Sequence, residues 1–340
     1  MKKSVRSRMV AMAAVLTLCL CPLAYGQVGR MQDLGTLGGD LIQAFAINNA
    51  AQVVGEAYDA QGHAHAFLWT AAGGMKDLGT LGGARSVAEG IDAAGQVVGE
   101  SDDQSGHLHA FLWTAADGMK DLGTLGGKES EASGINDSGQ VVGWAADAQG
   151  HERAFLWTAG TGMKDLGTVG AERGGAMCIN DAGQVGGFAY GSYHRRAFLW
   201  TAGEGMKGLG TLGGDSSKAF GINAAGQVVG MADYDARGHQ HAFLWTVAGG
   251  MKDLGALGGK ESVAIRITAA GQVVGEADDA QRHFRAFLWT AEGGMKDLGT
   301  LGGAQSEALG INDAGQVVGW AEDAQGHRRA FLWTPDRPGG

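Results

Sequence analysis

Ten histidines are the first residues whose type suits metal binding or catalysis, and all of them fall in one recurring segment. Seven hold equivalent positions and three copies add a second histidine two residues on, which gives the pairs His63 and His65, His107 and His109, and His239 and His241. In a β-strand residues i and i+2 share a face, so each pair could ligate a metal ion. A zinc site needs three or four convergent ligands and each copy supplies two. The spacing favours structural hydrogen bonds, and we predict no metal site and no other cofactor.

Acidic and hydroxyl side chains are the second group of residues that could bind a metal ion or catalyse a reaction. An aspartate precedes six of the seven equivalent histidines by four residues, as Asp59 precedes His63, and this spacing predicts an Asx turn rather than a calcium loop. No serine lies in a Gly-x-Ser-x-Gly elbow. Glu129 and Glu131 are of the residue type that glycosidases use in pairs, but a chain with 36 acidic residues contains such pairs by chance. The sequence therefore favours a protein without catalysis.

These residues are positioned by a repeat. The segment Ala-Phe-Leu-Trp-Thr occurs seven times, and its tryptophans are spaced by 44, 44, 43, 45, 44 and 44 residues. The third copy contains four short apolar segments, at 119–125, 130–136, 140–145 and 153–158, each bounded by Gly, Asp, Asn or Ser. Such segments predict short strands joined by tight turns. Four antiparallel strands per unit of this length are typical of a propeller blade.

The sequence thus predicts an all-β fold, a seven-bladed β-propeller of four-stranded antiparallel blades in which residues 27–340 form a single domain. Small residues at alternate positions place the Ser-x-Ala strand nearest the axis, followed outward by the Gln-Val-Val-Gly, Phe-Leu-Trp and Leu-Gly-Thr-Leu strands. The N-terminal strand 31–37 is expected to pair with the C-terminal strand 330–334, because this pairing closes the ring and removes two open edges. A β-helix and another arrangement of blades are the alternatives.

Three longer runs recur through residues 31–334. They are His-Ala-Phe-Leu-Trp-Thr (65–70, 109–114 and 241–246), Met-Lys-Asp-Leu-Gly-Thr-Leu-Gly-Gly, and Gly-Ile-Asn-x-x-Gly-Gln-Val-Val-Gly. In these runs the chain resembles the HAF-repeat family of extracellular bacterial proteins. The resemblance implies export and repetition, and it implies no activity and no catalytic residues. The fourth copy departs from the pattern, with Gly174 in place of the usual serine.

Differences between the copies indicate where a ligand could bind. Alternating strand direction places the Asn-x-x-Gly hairpins and the Thr-Ala-x-x-Gly-Met loops on one face, where the copies are nearly identical. We call this the invariant face. The opposite, variable face should carry the loops after the Gly pairs, the loops before the histidines and the residues after Val-Val-Gly. Its candidate ligand-binding residues are Trp144, Phe188, Trp320, Arg85, Glu129, Arg173 and Lys260, with the aromatic ones expected to be exposed. The alternative is that the differences between the copies on this face are neutral drift and mark no binding site.

The N-terminus predicts export. Four basic residues precede an apolar stretch at 9–20 and small residues at 24 and 26, so residues 1–26 have the features of a signal peptide cleaved before Gln27. The apolar stretch is shorter than the roughly 20 residues of a membrane span. We therefore expect a secreted protein, extracellular or periplasmic, with no membrane span in the mature chain. An uncleaved anchor and a lipidated Cys19 or Cys21 are the alternatives.

Charge and cysteine content limit the partners. Removing the four basic residues of the signal takes the formal net charge from −10 to −14, which disfavours nucleic acid and anionic membranes. Cys178 is then the one remaining cysteine, expected to be a buried and inert thiol. The leading hypothesis is a monomeric, non-catalytic binding or scaffold protein whose variable face takes a saccharide or protein ligand. The alternatives are an extracellular hydrolase or lyase acting on a saccharide or peptide, and a purely structural repeat protein.

Overall fold

The computed structural model describes residues 29–168, 171–191 and 194–336. The expected signal peptide at 1–26 lies outside the described residues. The described chain forms 28 β-strands in seven four-stranded antiparallel sheets, which confirms the predicted seven-bladed all-β propeller. Each sheet is a blade, numbered 1 to 7 along the chain. Among the described residues there is no helix with the length and apolar character that crossing a bilayer requires.

Each blade has an inner, a second, a third and an outer strand, counted from the axis. The inner strands are β2 (Gly38–Ile47), β6 (Gly82–Ile91), β10 (Gly126–Ile135), β14 (Arg173–Ile179), β18 (Ser217–Ile222), β22 (Gly258–Ile267) and β26 (Gly302–Ile311). The second strands are β3 (Val53–Asp59), β7 (Val97–Asp103), β11 (Val141–Asp147), β15 (Val185–Tyr190), β19 (Val228–Asp233), β23 (Val273–Asp279) and β27 (Val317–Asp323). The third strands are β4 (Ala64–Thr70), β8 (Leu108–Thr114), β12 (Glu152–Thr158), β16 (Arg195–Thr201), β20 (Gln240–Thr246), β24 (Phe284–Thr290) and β28 (Arg328–Pro335). The outer strands are β5 (Gly74–Asp77), β9 (Gly118–Asp121), β13 (Gly162–Asp165), β17 (Gly205–Gly208), β21 (Gly250–Asp253), β25 (Gly294–Asp297) and β1 (Gly29–Asp33).

The predicted order of the inner, second and third strands is confirmed, and small residues explain the inner pair. The inner strands of neighbouring blades contact one another around the ring. In blade 3 the pairing of β10 with β11 shifts register between Ala132 and Gly134. A Cβ at Gly143 would collide there with the carbonyl oxygen of Glu131. The glycine of Val-Val-Gly therefore allows the second strand to approach the inner strand closely.

The hairpin between these two strands turns through a positive φ angle, as predicted. Gly139 has φ 73°, and in the first copy Ala51 takes the same position with φ 57°. The side-chain oxygen of Asn136 accepts hydrogen bonds from the N–H groups of Ser138 and Gln140, at 3.1 and 3.0 Å. The asparagine thus stabilises the turn by the Asx mechanism.

Both ends of the chain close the ring in blade 7, as predicted. Strand β1 pairs antiparallel with β28, with Met31 opposite Trp333. The bounds differ from the prediction, since the strands span Gly29–Asp33 and Arg328–Pro335 rather than 31–37 and 330–334. The pairing covers two strand edges that an open array would leave free.

The outer strands are shorter than predicted. In the third copy the strand expected over 119–125 ends at Asp121. The Oδ1 atom of Asp121 accepts a hydrogen bond from the Gly123 N–H at 2.7 Å, and Gly123 has φ 78°, so the chain turns at this point. Leu122 is buried, and residues 122–125 cross to the next blade. The Leu-Gly-Thr-Leu segment is therefore a connection between blades, because its glycine ends the strand.

The apolar core lies between the blades rather than within them. Each of the seven clusters of buried residues combines two adjacent blades, for example Val98 of blade 2 with Phe155 and Trp157 of blade 3. The phenylalanines of all seven Ala-Phe-Leu-Trp-Thr segments are at most 2% exposed. Near the outer edge the Nζ atom of Lys120 lies 5.8 Å from the Trp157 ring of the next blade. Because one blade cannot bury its own faces, the ring is the folding unit.

Candidate functional site

The constancy of the invariant face has a structural cause. The Nδ2 group of Asn48 donates to the main-chain oxygen of Asp92 in the next blade at 2.9 Å. Asn312 does the same across the closing interface, to the oxygen of Asn48 at 3.2 Å. Where the asparagine is replaced, as at Asp92, the N–H of Ala93 donates to Asp137 Oδ1 of the next blade. Bonds of these two kinds join all seven pairs of blades. This face therefore holds the ring together.

The recurrent serines at the inner strands are structural as well. Ser130 is buried, and its Oγ atom accepts from the Ala110 N–H at 2.9 Å and donates to the Gly123 oxygen at 2.7 Å. Both partners precede β10 in the chain and connect it to blade 2. The same two bonds occur at Ser86, Ser217, Ser262 and Ser306. Hydroxyls engaged by main-chain groups on both sides are not placed as nucleophiles.

The histidines and their aspartates form the structural contacts that were predicted. Asp59 Oδ1 accepts from the N–H groups of Gln61 and His63 at 2.8 and 2.9 Å, which confirms the Asx turn. The hydrogen bond from the His63 N–H lowers the pKa of the Asp59 carboxyl. His65 Nδ1 lies 2.7 Å from Asp77 Oδ2 of the outer strand, and His109 and His241 repeat this contact. Within the described residues no three such side chains converge as metal ligands.

The charged candidates of the variable face do not lie in loops. The inner strands begin at the Gly pairs, so Arg85, Glu129 and Lys260 lie inside β6, β10 and β22, and Arg173 begins β14. These strands are longer than predicted because their first residues still pair with the ends of the second strands, as Gly82 pairs with Asp103 in β6 and β7. Glu129 and Lys260 are exposed, and Lys260 lines a separate cavity of about 250 Å³ between blades 5 and 6.

The aromatic candidates are not exposed, contrary to our expectation. Trp320 is 4% exposed, and Trp144 and Phe188 are half-buried. The guanidinium of Arg328 covers the Trp320 ring at 4.0 Å, and Lys218 Nζ lies 4.6 Å from the Phe188 ring. The rings pack because the second strands face neighbouring blades along their whole length. Trp320 is therefore not available as an open stacking platform.

Two Glu–Glu–Trp trios lie on the inner and second strands, towards the variable face. Each consists of a glutamate after Val-Val-Gly in one blade and a cross-strand Glu–Trp pair in the next, namely Glu100, Glu131 and Trp144 in the first trio and Glu276, Glu307 and Trp320 in the second. The indole N–H of Trp144 donates to Glu131 Oε2 at 2.8 Å. Trp320 donates to Glu307 Oε2 at 2.7 Å. The trios span blades 2 and 3 and blades 6 and 7, on nearly opposite sides of the ring. With Glu56 they form what we call the axial mouth.

The sequence did not predict the trios. It singled out Trp144 and Trp320 but missed their glutamate partners, because one partner of each trio belongs to a different copy. A signal was present, since the variable positions of copies 2 and 3 have the order Val, Glu, Glu, Trp and copies 6 and 7 repeat it. Comparing pairs of neighbouring copies would have singled out these residues, although not the contacts between them.

Three cations lie near the carboxyl groups of the mouth, namely Arg85 near Glu56 and Glu100, Arg328 near Glu276 and Glu307, and Lys218 near Glu131. Burial nevertheless has the largest effect on the pKa of four of these carboxyl groups. Burial raises the pKa of Glu100 to about 7, and the Glu131 carboxylate at hydrogen-bond distance adds to the rise. Burial raises the pKa of Glu276 to about 8, and Glu307 contributes as well. Burial also raises the pKa of Glu307 and of Glu56. Such shifts mean that the surroundings disfavour the ionised form, which an incoming cation would favour.

A cavity of about 150 Å³ lies on the axis below the mouth. Each blade contributes one isoleucine to its wall, namely Ile47, Ile91, Ile135, Ile179, Ile222, Ile267 and Ile311. Glu89, Arg266 and Cys178 also line it, and burial raises the pKa of the Cys178 thiol to about 12, in keeping with an inert group. Ser133 lines the cavity, and its Oγ lies 3.4 Å from Glu131 Oε1. The cavity and the first trio therefore adjoin.

Comparison with known proteins identifies the fold. No family model matches the chain, and no curated protein matches it in sequence. The β-propeller domain of the Trilobed protease from Pyrococcus furiosus matches with a TM-score of 0.55 and 9% identity, over 86% of this chain and 95% of that one. The acylaminoacyl peptidase of Pyrococcus horikoshii matches with a TM-score of 0.55 and 12% identity, over 88% of this chain and 52% of that one. The BP39L lectin of Burkholderia pseudomallei matches with a TM-score of 0.53 and 12% identity, over 92% of this chain and 97% of that one. At these identities the likeness shows a β-propeller fold alone.

Proposed function

We propose that this protein is an exported, non-catalytic binding protein whose axial mouth takes a small organic cation. One observation carries the proposal. Buried and half-buried glutamates form two groups at the mouth: Glu131 and Glu56 act on Glu100 at blades 1 to 3, and Glu307 acts on Glu276 at blades 6 and 7. Arg85 contacts Glu100 at 2.7 Å.

The fold itself does not need these carboxylates. At the equivalent positions other copies hold Gln43, Val87, Gly175, Val263 and Met231, and their blades pair in the same way. Burying a carboxylate costs stability even beside a cation, so a purely structural mouth would be more stable with apolar residues. Carboxylates bind ammonium ions by charge, and the half-buried ring of Trp144 adds cation–π attraction at the first trio. The mouth therefore has the composition of a cation site.

Export and family belong to the same proposal. The basic, apolar and small segments of residues 1–26 support secretion to the periplasm or the medium. The recurring runs support membership of the HAF-repeat family. A ligand taken up at the mouth would then come from outside the cytoplasm.

An extracellular hydrolase or lyase is the second candidate function. The observation in its favour is the pKa of Glu100, which at about 7 suits a general acid or base. Against it, Glu100 and Glu131 are within hydrogen-bond distance of each other. Glycosidase carboxyl pairs stand about 5 Å apart or more, to leave room for the sugar and water. Binding without turnover is thus the better-supported function.

The test is a calorimetric titration of residues 27–340 at pH 7.5. The probes are n-butylammonium, choline and 1,4-butanediamine, with maltotriose and a neutral tripeptide as uncharged ligands that are also assayed for cleavage. We expect saturable binding of the cations, and at least a tenfold loss of affinity in the double variant E100Q/E131Q. The matched control E292Q changes an exposed glutamate of the invariant face and should bind normally.

Three results would contradict the proposal. The cations bind E100Q/E131Q as tightly as the unchanged protein, or no cation binds at all, or an uncharged probe is the one that saturates the protein. Cleavage of a probe that is lost in E100Q would establish the hydrolase instead.

A further inference from the structure

Two charged residues break the apolar wall of the axial cavity, and each is unique among the seven copies. Glu89 stands where the other copies have Phe45, Ser133, Met177, Phe220, Ile265 and Leu309. Arg266 stands where they have Ala46, Gly90, Gly134, Cys178, Gly221 and Gly310. Glu89 belongs to blade 2 and Arg266 to blade 6, which lie on nearly opposite sides of the axis. The two charges therefore enter the same cavity from different sides.

Arg266 is only partly engaged by the protein. Its Nη1 group donates to the main-chain oxygens of Phe220 and Ile265, each at 3.1 Å. Among the described residues these are the hydrogen bonds found for the guanidinium, and no carboxylate lies within 4.0 Å of it. Burial lowers the pKa of Arg266, which reflects the cost of a cation in these surroundings. A guanidinium with free N–H groups in a cavity matches a planar carboxylate.

Charge changes sign along the axis. Arg266 lies one position closer to the invariant face in its inner strand than Glu89 does in its own. The strand pairing shows this, since Arg266 is opposite Val274, whereas Ala88, next to Glu89, is opposite Gly99. Ser133 connects the cavity with Glu131 of the mouth. The groups that act on Glu89 are the carboxylates of Glu131, Glu100 and Glu56 and the guanidinium of Arg266. The axis thus carries the guanidinium of Arg266 at the cavity floor and carboxyl groups from Glu89 up to the mouth.

We propose that the axial cavity binds a small zwitterion, an aminocarboxylate whose carboxylate pairs with Arg266 and whose ammonium group faces Glu89 and the mouth. This inference rests on the proposed function, since the ammonium end is the cation that the mouth attracts. A volume of about 150 Å³ equals the share of roughly five water molecules in the liquid. A short aminocarboxylate of three or four carbons fits such a space and would neutralise both charges at once.

The experiment compares three ligands of one shape in the mature chain. γ-Aminobutyrate carries both charges, n-butylammonium lacks the carboxylate and butyrate lacks the ammonium. We expect γ-aminobutyrate to bind at least tenfold more tightly than either single-charge analogue. Its binding at pH 7.5 should also release protons, because the ammonium group favours the ionised form of Glu89, which burial otherwise keeps protonated to a pKa of about 8. Titrations in two buffers of different ionisation enthalpy measure that release.

Two variants test the assignment of the ends. R266Q should reduce the affinity for γ-aminobutyrate to that for n-butylammonium, and E89Q should abolish the proton release. R237Q changes an exposed arginine on the variable face and serves as the matched control. If R266Q fails to fold, the comparison of the three ligands in the unchanged protein still decides.

The outcomes separate the two proposals. If n-butylammonium binds as tightly as γ-aminobutyrate, the cation site stands and the zwitterion site is wrong. If cations bind and γ-aminobutyrate does not, the cation site again stands and the zwitterion site is again wrong. If butyrate alone binds, or if nothing binds, both proposals fail.

Discussion

At the scale of single residues, Glu89 makes folding depend on pH. Burial raises the pKa of its carboxyl to about 8, and the neighbouring carboxylates Glu131 and Glu100 add to the rise. An acid whose pKa is higher in the folded than in the unfolded chain binds its proton more tightly when folded. Its contribution to stability is complete below the unfolded pKa of about 4.3 and is lost as the pH rises towards 8.

We therefore expect the melting temperature of the ligand-free protein to fall between pH 5 and pH 8. The melting temperature of E89Q should fall less over the same range. Glutamine resembles the protonated acid and cannot ionise, so the variant should retain roughly 3 kcal/mol of the stability that the unchanged protein loses. Differential scanning calorimetry in steps of pH measures this. E292Q is the control and should follow the unchanged protein. Parallel curves for E89Q and the unchanged protein would show that Glu89 ionises freely.

At the scale of elements, β1 and β28 close the ring. Met31 and Trp333 pair across the closure, and Trp333 is 2% exposed. Without β1 the third strand of blade 7 would present a free edge and an uncovered tryptophan. A free edge favours pairing with a second chain.

Deleting residues 27–33 should therefore lower the melting temperature by roughly 5 °C or more and produce dimers or aggregates. A chain that begins at Gly29 retains β1 and is the matched control. Light scattering and calorimetry on both proteins give the result. A monomeric deletion variant with an unchanged melting temperature would mean that the closure contributes nothing.

At the scale of the whole molecule, seven similar interfaces share the stabilising contacts. Each carries an apolar cluster between two blades and a hydrogen bond at the invariant face, so the ring has no independent part among the described blades. This arrangement leaves the variable face free to differ from blade to blade. The proposed mature chain would carry a formal charge of −14, which suits a soluble exported protein with an acidic mouth.

Export is a prediction for the whole chain. In a bacterial host the protein with its own N-terminus should be recovered from the periplasm or medium beginning at Gln27, by mass spectrometry. L16R places a charge in the apolar stretch and should keep the chain in the cytoplasm, because a charged stretch no longer resembles a signal. Export of L16R, or an exported chain that still begins at Met1, would contradict a cleaved signal.

The sequence by itself determined the architecture. Seven copies of Ala-Phe-Leu-Trp-Thr at a constant spacing, each with three further apolar segments, specify seven equal blades and leave one strand at each end of the chain to pair. The Asx turns at Asp59 and its equivalents were equally readable, because an Asx turn is made within five residues. Local periodicity and local hydrogen bonds are properties of neighbouring residues, and the sequence displays them directly.

The tertiary structure alone decided the candidate site. The sequence placed Trp144 and Trp320 on the correct face but left them exposed, whereas the second strands pack between blades, where Trp320 is buried and Trp144 half-buried. It could not show that Glu100 meets Glu131, or that Glu89 and Arg266 enter one cavity, because these pairs join different copies. Contacts around an axis depend on how the copies are arranged in space, and the pKa of a carboxyl group depends on the burial and charges that this arrangement creates.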